Sequence, residues 1–204
     1  MNTSVFPTSY LPSVNYFLQL VKQDNIVIDI HEHYIKQSLR NRCKIYGANG
    51  KLVLSVPIIK RENPRTPVKD IRIAYNLPWQ KIHRRAIESA YNSSPFFLYY
   101  QDDLISFYEK HFTFLYDFNA ELLQLLFDQI GAKMLVKFSD SYLEKSPDIK
   151  DFRNYFSLKE NADNAVFKKY TQVFSIKFGF IPNLSVIDLI FNLGPETLDF
   201  LTTL

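Results

Sequence analysis

The spacing of apolar residues changes after Tyr75, and this change points to a fold that joins strands to a helical half. Up to Tyr75, short apolar and β-branched runs predict one helix opening at Ser13 and strands at residues 5–6, 25–30, 39–46, 52–59 and 68–75. Beyond it, helical spacing predicts helices beginning at Pro78, after Pro95 and at Asn119, and at residues 185–191 and 196–201. With a further strand at 134–138, we expect a mixed α/β or α+β fold.

Turn and cap residues refine this prediction. Asn49-Gly50 lies between two predicted strands, where residues that tolerate positive φ predict a β-hairpin. Asn119 is predicted to cap the start of a helix that ends at Gly131. The polar stretch 139–170 predicts loops with a short helix. We expect N-terminal strands with a hairpin, then a mostly helical half, in one compact domain spanning residues 1–204.

Composition excludes several classes of protein. Cys43 is the one cysteine, so an internal disulfide framework and a multi-cysteine metal site are excluded. No apolar run reaches the roughly 18 residues that a membrane helix needs, and the N-terminus lacks the features of a signal peptide. We therefore expect a cytoplasmic protein with no membrane span. Residues 1–90 hold 14 Lys and Arg against 6 Asp and Glu, which predicts that an anionic ligand binds in this half.

Residues 31–47 carry the densest set of polar side chains in the chain. If residues 39–46 form a strand, Arg40 and Arg42 face one side, where two guanidinium groups with Asn41 suit a phosphate or carboxylate. A charged, solvated edge strand is the alternative interpretation. His31 and His33 have the spacing to share a metal, although exposed histidines are the favoured interpretation. Cys43 is expected to be a small buried residue rather than a nucleophile.

His83 lies four residues after Trp79 in a predicted helix, on the same stripe as core residues. A core histidine is the favoured interpretation by frequency, and a general base is the functional alternative. Many aromatic residues lie between 96 and 118, and their helical spacing favours core packing over a stacking platform for bases. Nucleotide-loop, nucleophile-elbow and kinase motifs are absent from the sequence.

Six segments, which follow one another over nearly the whole chain, together match the motifs of a known protein family. They are YLPSVNYFLQL (10–20), IDIHEHYIKQSLRNRCKI (28–45), LSVPI (54–58), WQKIHRRAIESAYNSSPFFLYY (79–100), DFN (117–119) and PNLSVIDLIFNLGPE (182–196). Together they resemble the bacterial WbqC-like protein family. Family members usually open with a glutamine-proline-tyrosine stretch, which here reads VFPTSYLPS, so a role for that polar position is in doubt.

The resemblance implies a cytoplasmic role in the biosynthesis of O-antigen or other surface polysaccharide, or in a related biosynthesis. Carried onto this chain, the polar residues of the family's motifs are Lys36, Arg40, Asn41, Arg42, His83, Tyr91 and Asn119. We expect His83 to be catalytic and the other six to bind substrate, with no cofactor and no metal.

We expect a group-transfer enzyme that binds an anionic activated donor, either a small molecule or carrier-linked. In that scheme the arginines hold the anionic part and His83 acts as general base. The alternative is a non-catalytic binding or scaffold protein for a biosynthetic enzyme partner or another anionic ligand. Nucleic acid is not expected, because the net charge is only +3.

Overall fold

The computed structural model describes residues 3–158 and 167–203. In chain order its elements are β1 (Thr3–Phe6), α1 (Val14–Leu20), β2 (Ile26–Ile28), β3 (Arg42–Gly47), β4 (Gly50–Ser55), α2 (Trp79–Tyr91), α3 (Phe97–Glu109), α4 (Leu115–Ile130), β5 (Val136–Phe138), β6 (Ile149–Asp151), α5 (Ser175–Phe178), α6 (Val186–Leu193) and α7 (Thr197–Thr202). The predicted mixed α/β class, with a hairpin and then a mostly helical segment, is confirmed.

Four short strands form a parallel sheet in the order β5-β2-β1-β6. In β1, Val5 and Phe6 are fully buried, as expected for a central strand with packing on both faces. Because all four strands run the same way, their carboxyl ends meet at one edge of the sheet. That edge receives the chain after Phe6, Ile28, Phe138 and Asp151.

The predicted hairpin is confirmed. β3 and β4 pair antiparallel, from Arg42 opposite Ser55 to Gly47 opposite Gly50, and Gly50 has a φ of 96°. The helical spacing predicted after Tyr75 is also confirmed. Helices α2, α3 and α4 present apolar stripes to one core, which also includes residues of α1 and α6. Gly131 ends α4 in the left-handed conformation, as predicted (φ 70°).

Three local predictions differ from the structure. Residues 68–75 form no strand. A 3-10 turn at Val68–Asp70 is followed by two isolated bridges, Arg72 with Phe114 and Ile73 with Ile58, because each neighbouring segment pairs with this one at a single residue rather than along a ladder. The helix predicted to start at Asn119 starts at Leu115, so Asn119 lies inside α4. In the stretch 139–170, β6 was not predicted, and residues 159–166 lie outside the described residues.

The C-terminal segment is fixed to the core through α6. Val186, Ile187 and Leu189 are fully buried, and so is Asp188, in the same helix. The Asp188 carboxylate accepts hydrogen bonds from the Tyr170 hydroxyl at 2.5 Å and from Gln172 Nε2 at 2.8 Å. Burial raises the pKa of Asp188, while these donors oppose the rise. The network ties the chain near residue 170 to α6.

Candidate functional site

The carboxyl edge of the parallel sheet is occupied by buried ion pairs. Arg153 Nη1 lies 2.6 Å from Asp29 Oδ2, and Arg153 Nη2 lies 2.8 Å from Asp151 Oδ2. Arg40 donates from Nε and Nη2 to the two carboxylate oxygens of Glu32. In open α/β sheets, ligands usually bind at this edge where the strand order reverses. Here the protein's own charges fill much of that region.

Arg40 is committed to this internal cluster. Its side chain is 2% exposed, Nη2 also donates to the Arg153 carbonyl at 3.3 Å, and the Arg40 carbonyl accepts from Asn119 Nδ2 at 2.8 Å. Burial raises the pKa of Glu32 to about 7, although Arg40 opposes the rise. The sequence pattern predicts that Arg40 and Arg42 face the same side of one strand, and this prediction is wrong because β3 begins only at Arg42.

Beside this cluster lies a cavity of about 400 Å³, here called the basic cavity. Its walls come from two segments, residues 34–42 and 58–64. The lining residues are Tyr34, Lys36, Gln37, Asn41, Arg42, Ile58, Ile59, Lys60, Arg61 and Pro64. Four of these side chains are cations, and none of these ten is acidic. The basic cavity is therefore a region of positive potential with an apolar side at the two isoleucines.

Backbone and side-chain contacts hold the two walls in place. The Val56 amide donates to the Asn41 carbonyl at 2.8 Å, and the Tyr34 amide donates to the Thr66 carbonyl at 3.0 Å. Arg61 Nη1 donates to the Pro64 carbonyl at 3.0 Å, and its guanidinium lies 4.7 Å from the centre of the Tyr34 ring. The Arg40–Glu32 pair fixes the chain just before Asn41. The cavity is thus positioned by the buried cluster behind it.

Two residues that line the basic cavity each carry one buried polar atom, and these two atoms have no hydrogen-bond partner within residues 3–158 and 167–203. They are Asn41 Oδ1, an acceptor, and Arg42 Nε, a donor. The other end of the Asn41 amide is satisfied, since Nδ2 donates to the Val56 carbonyl at 2.8 Å. Because both atoms are closed to solvent, neither forms part of the cavity's surface, and a ligand in the cavity would meet other atoms of these side chains.

His83 lies elsewhere, in a buried polar chain between α2 and α3. The Tyr10 hydroxyl lies 2.8 Å from His83 Nδ1 and also bonds to the Tyr108 hydroxyl. The His83 side chain is 5% exposed, packs edge-on against Trp79, and is not among the residues that line the basic cavity. Burial lowers the pKa of His83 to about 4, so its ring is neutral at pH 7.

We expect acid to destabilise the fold in part through His83. Its folded pKa of about 4 lies below the ordinary 6.5, so the unfolded chain binds the proton more readily between these values. The stability it contributes is present above pH 6.5 and falls towards pH 4, by at most about 3 kcal/mol. Urea denaturation at pH 7 and pH 4.5 measures this loss. The His83→Gln variant is expected to lose less, and an equal loss in both proteins would contradict the assignment.

The remaining predicted site residues have the following places. Lys36 lines the basic cavity with Asn41 and Arg42. Tyr91 is fully buried, and its hydroxyl accepts from the Tyr46 amide at 3.2 Å. Asn119, 2% exposed, donates to Thr8 Oγ1 at 3.1 Å as well as to the Arg40 carbonyl. The structure therefore brings together three of the seven and places Arg40, His83, Tyr91 and Asn119 in its interior.

The residues of the metal and thiol alternatives are also located. His31 Nδ1 lies 3.3 Å from Ser139 Oγ, whereas the His33 side chain is exposed. In the described part of the chain, no three His, Cys, Asp or Glu side chains form a group suited to a metal ion. Cys43 is buried, as expected, and burial raises the pKa of its thiol.

Two cavity residues, Lys60 and Arg61, were not identified from the sequence. They lie several residues after β4, and an isolated pair of basic residues in a loop is typical of a solvent-exposed surface. They reach the cavity because the folded chain brings this loop against residues 34–42. The Val56 amide bonds to the Asn41 carbonyl, and Arg61 Nη1 donates to the Tyr34 carbonyl at 3.4 Å. Only that contact converts two separate basic segments into one cavity.

Comparison with known proteins agrees with the sequence resemblance. The chain is 24% identical over 223 aligned residues to the uncharacterized protein Rv1507c of Mycobacterium tuberculosis (strain ATCC 25618 / H37Rv), covering 97% of this chain and 96% of that protein. No solved structure matches it. No helix among the described residues is long and apolar enough to cross a bilayer. The profile of the WbqC-like protein family matches residues 8–160, most of the chain, and the protein belongs to that family.

Proposed function

We propose that this protein binds an anionic, phosphate-bearing ligand in the basic cavity. The observation that carries the proposal is the cavity's lining, in which Lys36, Arg42, Lys60 and Arg61 meet without a carboxylate among the ten lining residues. Arginine offers paired donors that match phosphate geometry, and lysine adds a compact positive charge. Unlike Arg40 and Arg153, these cations are not neutralised by the buried carboxylates of the sheet edge.

The proposal extends to group transfer from an activated anionic donor, in the cytoplasm, during bacterial surface-polysaccharide or related biosynthesis. The family resemblance supports the setting, and donors in such reactions carry phosphate or a charged carrier. Cations that hold the departing phosphate supply electrostatic stabilisation of the kind that often dominates catalysis. Lys36, Asn41 and Arg42 are the proposed substrate-binding residues, and Arg40 and Asn119 position them from behind.

Non-catalytic binding is the second candidate function, and the place of His83 favours it. A general base must lie within hydrogen-bond reach of the proton that it removes. His83 is buried outside the cavity lining and its Nδ1 already pairs with Tyr10. In this alternative, the protein delivers or senses the ligand for a biosynthetic enzyme partner.

We also propose that residues 1–204 form one domain, although the family match ends at residue 160. The support is the burial of α6, whose side chains from Val186 to Phe191 belong to the same core cluster as α1, α3 and α4, apart from the polar Asp188. A segment with so much of its apolar surface in the common core is not expected to fold apart from it.

A thermal-shift screen tests the binding proposal. The panel contains pyrophosphate, nucleotides, nucleotide-sugars and acyl-carrier thioesters, at low and high salt. A ligand at 100 times its Kd adds about 2.7 kcal/mol of stability. For a chain of this size each kcal/mol raises Tm by roughly 2–4 °C. We expect a clear rise with at least one phosphate-bearing compound, reduced by salt. No rise with any of them at low salt would contradict the proposal.

A further inference from the structure

A short loop in the last quarter of the chain projects apolar side chains into solvent. It comprises residues 174–179, around α5, and is here called the apolar loop; none of the four residues of α5 is buried. Ile176 is fully exposed and Phe178 is 40% exposed. No residue of the loop lines the basic cavity. Apolar side chains that are grouped on one protrusion, rather than scattered singly, mark a contact with a protein or a membrane.

The apolar loop is held at its base by polar contacts. The Gln172 side chain is 1% exposed; it accepts from the Ile181 amide and donates to the Ile181 carbonyl, both at 2.9 Å. Gln172 Nε2 also lies 2.8 Å from Asp188 Oδ2 in α6. The Tyr46 hydroxyl, from β3, donates to the Gly179 carbonyl at 2.6 Å. Because the base is fixed to the hairpin and to α6, the loop has little conformational freedom to lose when its tip binds.

The charge around the loop has one sign. Residues 167–181 contain three lysines and no Asp or Glu. Lys168 and Lys169 are exposed and lie just before the base of the loop, and Lys177 is exposed at its tip. Lys177 Nζ lies 4.8 Å from the centre of the Phe178 ring, so a cation and an apolar ring are side by side. This combination complements an anionic surface with an apolar interior.

The size and charge of the tip fit a lipid bilayer better than another protein. A stable protein interface covers about 800 Å² on each partner, an area that a projecting helix of four residues does not offer. Lysine is depleted in protein interfaces, whereas lysines are attracted by the negative surface potential of anionic lipids. Large apolar side chains beside lysines bury themselves at the boundary between headgroups and acyl chains.

We propose that the apolar loop binds this protein peripherally to an anionic lipid bilayer. Ile176 and Phe178 insert below the headgroups, and Lys177 lies among the lipid phosphates, with Lys168 and Lys169 adding attraction from the base of the loop. The contact is interfacial and needs no membrane-spanning segment. This inference does not depend on the ligand of the basic cavity, so either proposal can fail without the other.

Vesicle flotation with the full chain at low salt tests the proposal. One set of vesicles contains phosphatidylcholine alone, and the other contains equal parts of phosphatidylcholine and phosphatidylglycerol. We expect partition to the anionic vesicles to be at least about tenfold stronger and to weaken with added salt, because the lysines gain from the surface potential. Equal partition to both sets, or no binding to the anionic set, would overturn the proposal.

Two double variants assign the binding to the loop. Ile176→Ser with Phe178→Ser removes the exposed apolar side chains, and we expect at least about tenfold weaker binding to anionic vesicles. We expect its Tm to stay close to that of the unchanged protein, because both side chains are exposed. Leu98→Ser with Leu135→Ser, at side chains 69% and 76% exposed outside the loop, is the matched control and is expected to bind like the unchanged protein. Equal losses in both double variants overturn the role of the loop.

A fluorescent variant reports insertion of the tip and does not depend on the serine variants. Trp79 is the one tryptophan and is 3% exposed, so Ile176→Trp adds a second emitter, in the loop. We expect its emission to move to shorter wavelength with anionic vesicles, while that of the unchanged protein stays constant. Vesicle binding without this shift overturns insertion of the tip. If the serine variant instead loses self-association in analytical ultracentrifugation and keeps its vesicle binding, the loop docks on a second copy and the proposal is overturned.

Discussion

Replacing Arg40 with methionine is expected to lower the free energy of unfolding by about 3–5 kcal/mol, the cost of leaving a buried charge without its partner. Glu32 is 5% exposed, so its carboxylate would stay inside the protein after both of its oxygens had lost the hydrogen bonds from the Arg40 guanidinium. Urea denaturation at pH 7 measures the loss. Arg42→Met is the matched control, because Arg42 Nε has no partner to lose, and we expect it to change stability by less than about 1 kcal/mol.

The pH dependence of this loss has a definite sign. Without Arg40, the pKa of Glu32 rises further, since burial already raises it and the opposing cation is gone. The folded variant then binds a proton more readily than the unfolded chain, so the loss is expected to be larger at pH 8 than at pH 5. The double variant Glu32→Leu with Arg40→Met removes both charges and is expected to recover much of the stability. A loss that is small and independent of pH would contradict the role of the pair.

The second large effect concerns binding. Removing two cavity cations, in the double variant Arg42→Ala with Lys60→Ala, is expected to weaken a phosphate-bearing ligand by about 100-fold or more. A hydrogen bond to a charged group contributes about 1.5–3 kcal/mol, and the variant removes two candidate donors. The calorimetric Kd of glucose 1-phosphate or pyrophosphate measures the change.

Its control is a double variant with the same loss of charge outside the cavity lining, Lys133→Ala with Lys177→Ala. We expect that control to alter Kd only slightly, because both lysines are exposed, lie outside the cavity lining and have their charge screened by solvent and salt. If both double variants weaken binding equally, the general positive charge of the protein, rather than the basic cavity, attracts the ligand.

The sequence predicts the local elements well where the signal is local. Asn49-Gly50 places the hairpin, and the spacing of Ile82, His83 and Ile87 with Trp79 places α2, because turn chemistry and helical period act over a few residues. β6 was missed since Ile149–Asp151 is three residues long and exists through its pairing with β1, nearly 150 residues away. The strand predicted at 68–75 has the right residues but no partner strand along its length.

Some residues of the candidate site are likewise identified from the sequence, whereas others are found only from tertiary contacts. Lys36, Asn41 and Arg42 were identified from local chemistry and from the family resemblance, and they do share one cavity. Arg40 belongs to the same basic run, yet its burial with Glu32 follows from how the chain folds back over eight residues onto the sheet edge. Lys60 and Arg61 required the contact between two loops. A sequence pattern shows where the arginines are. Only the tertiary contacts show which arginine pairs with an internal carboxylate and which lines the cavity.

A crystal structure of the protein with glucose 1-phosphate tests most directly whether the basic cavity is a binding site. We expect the phosphate between the two walls of the cavity, against the side chains of Lys36, Arg42, Lys60 and Arg61. A ligand bound at another surface, or a cavity left without ligand at a concentration that saturates binding in solution, would contradict the proposal.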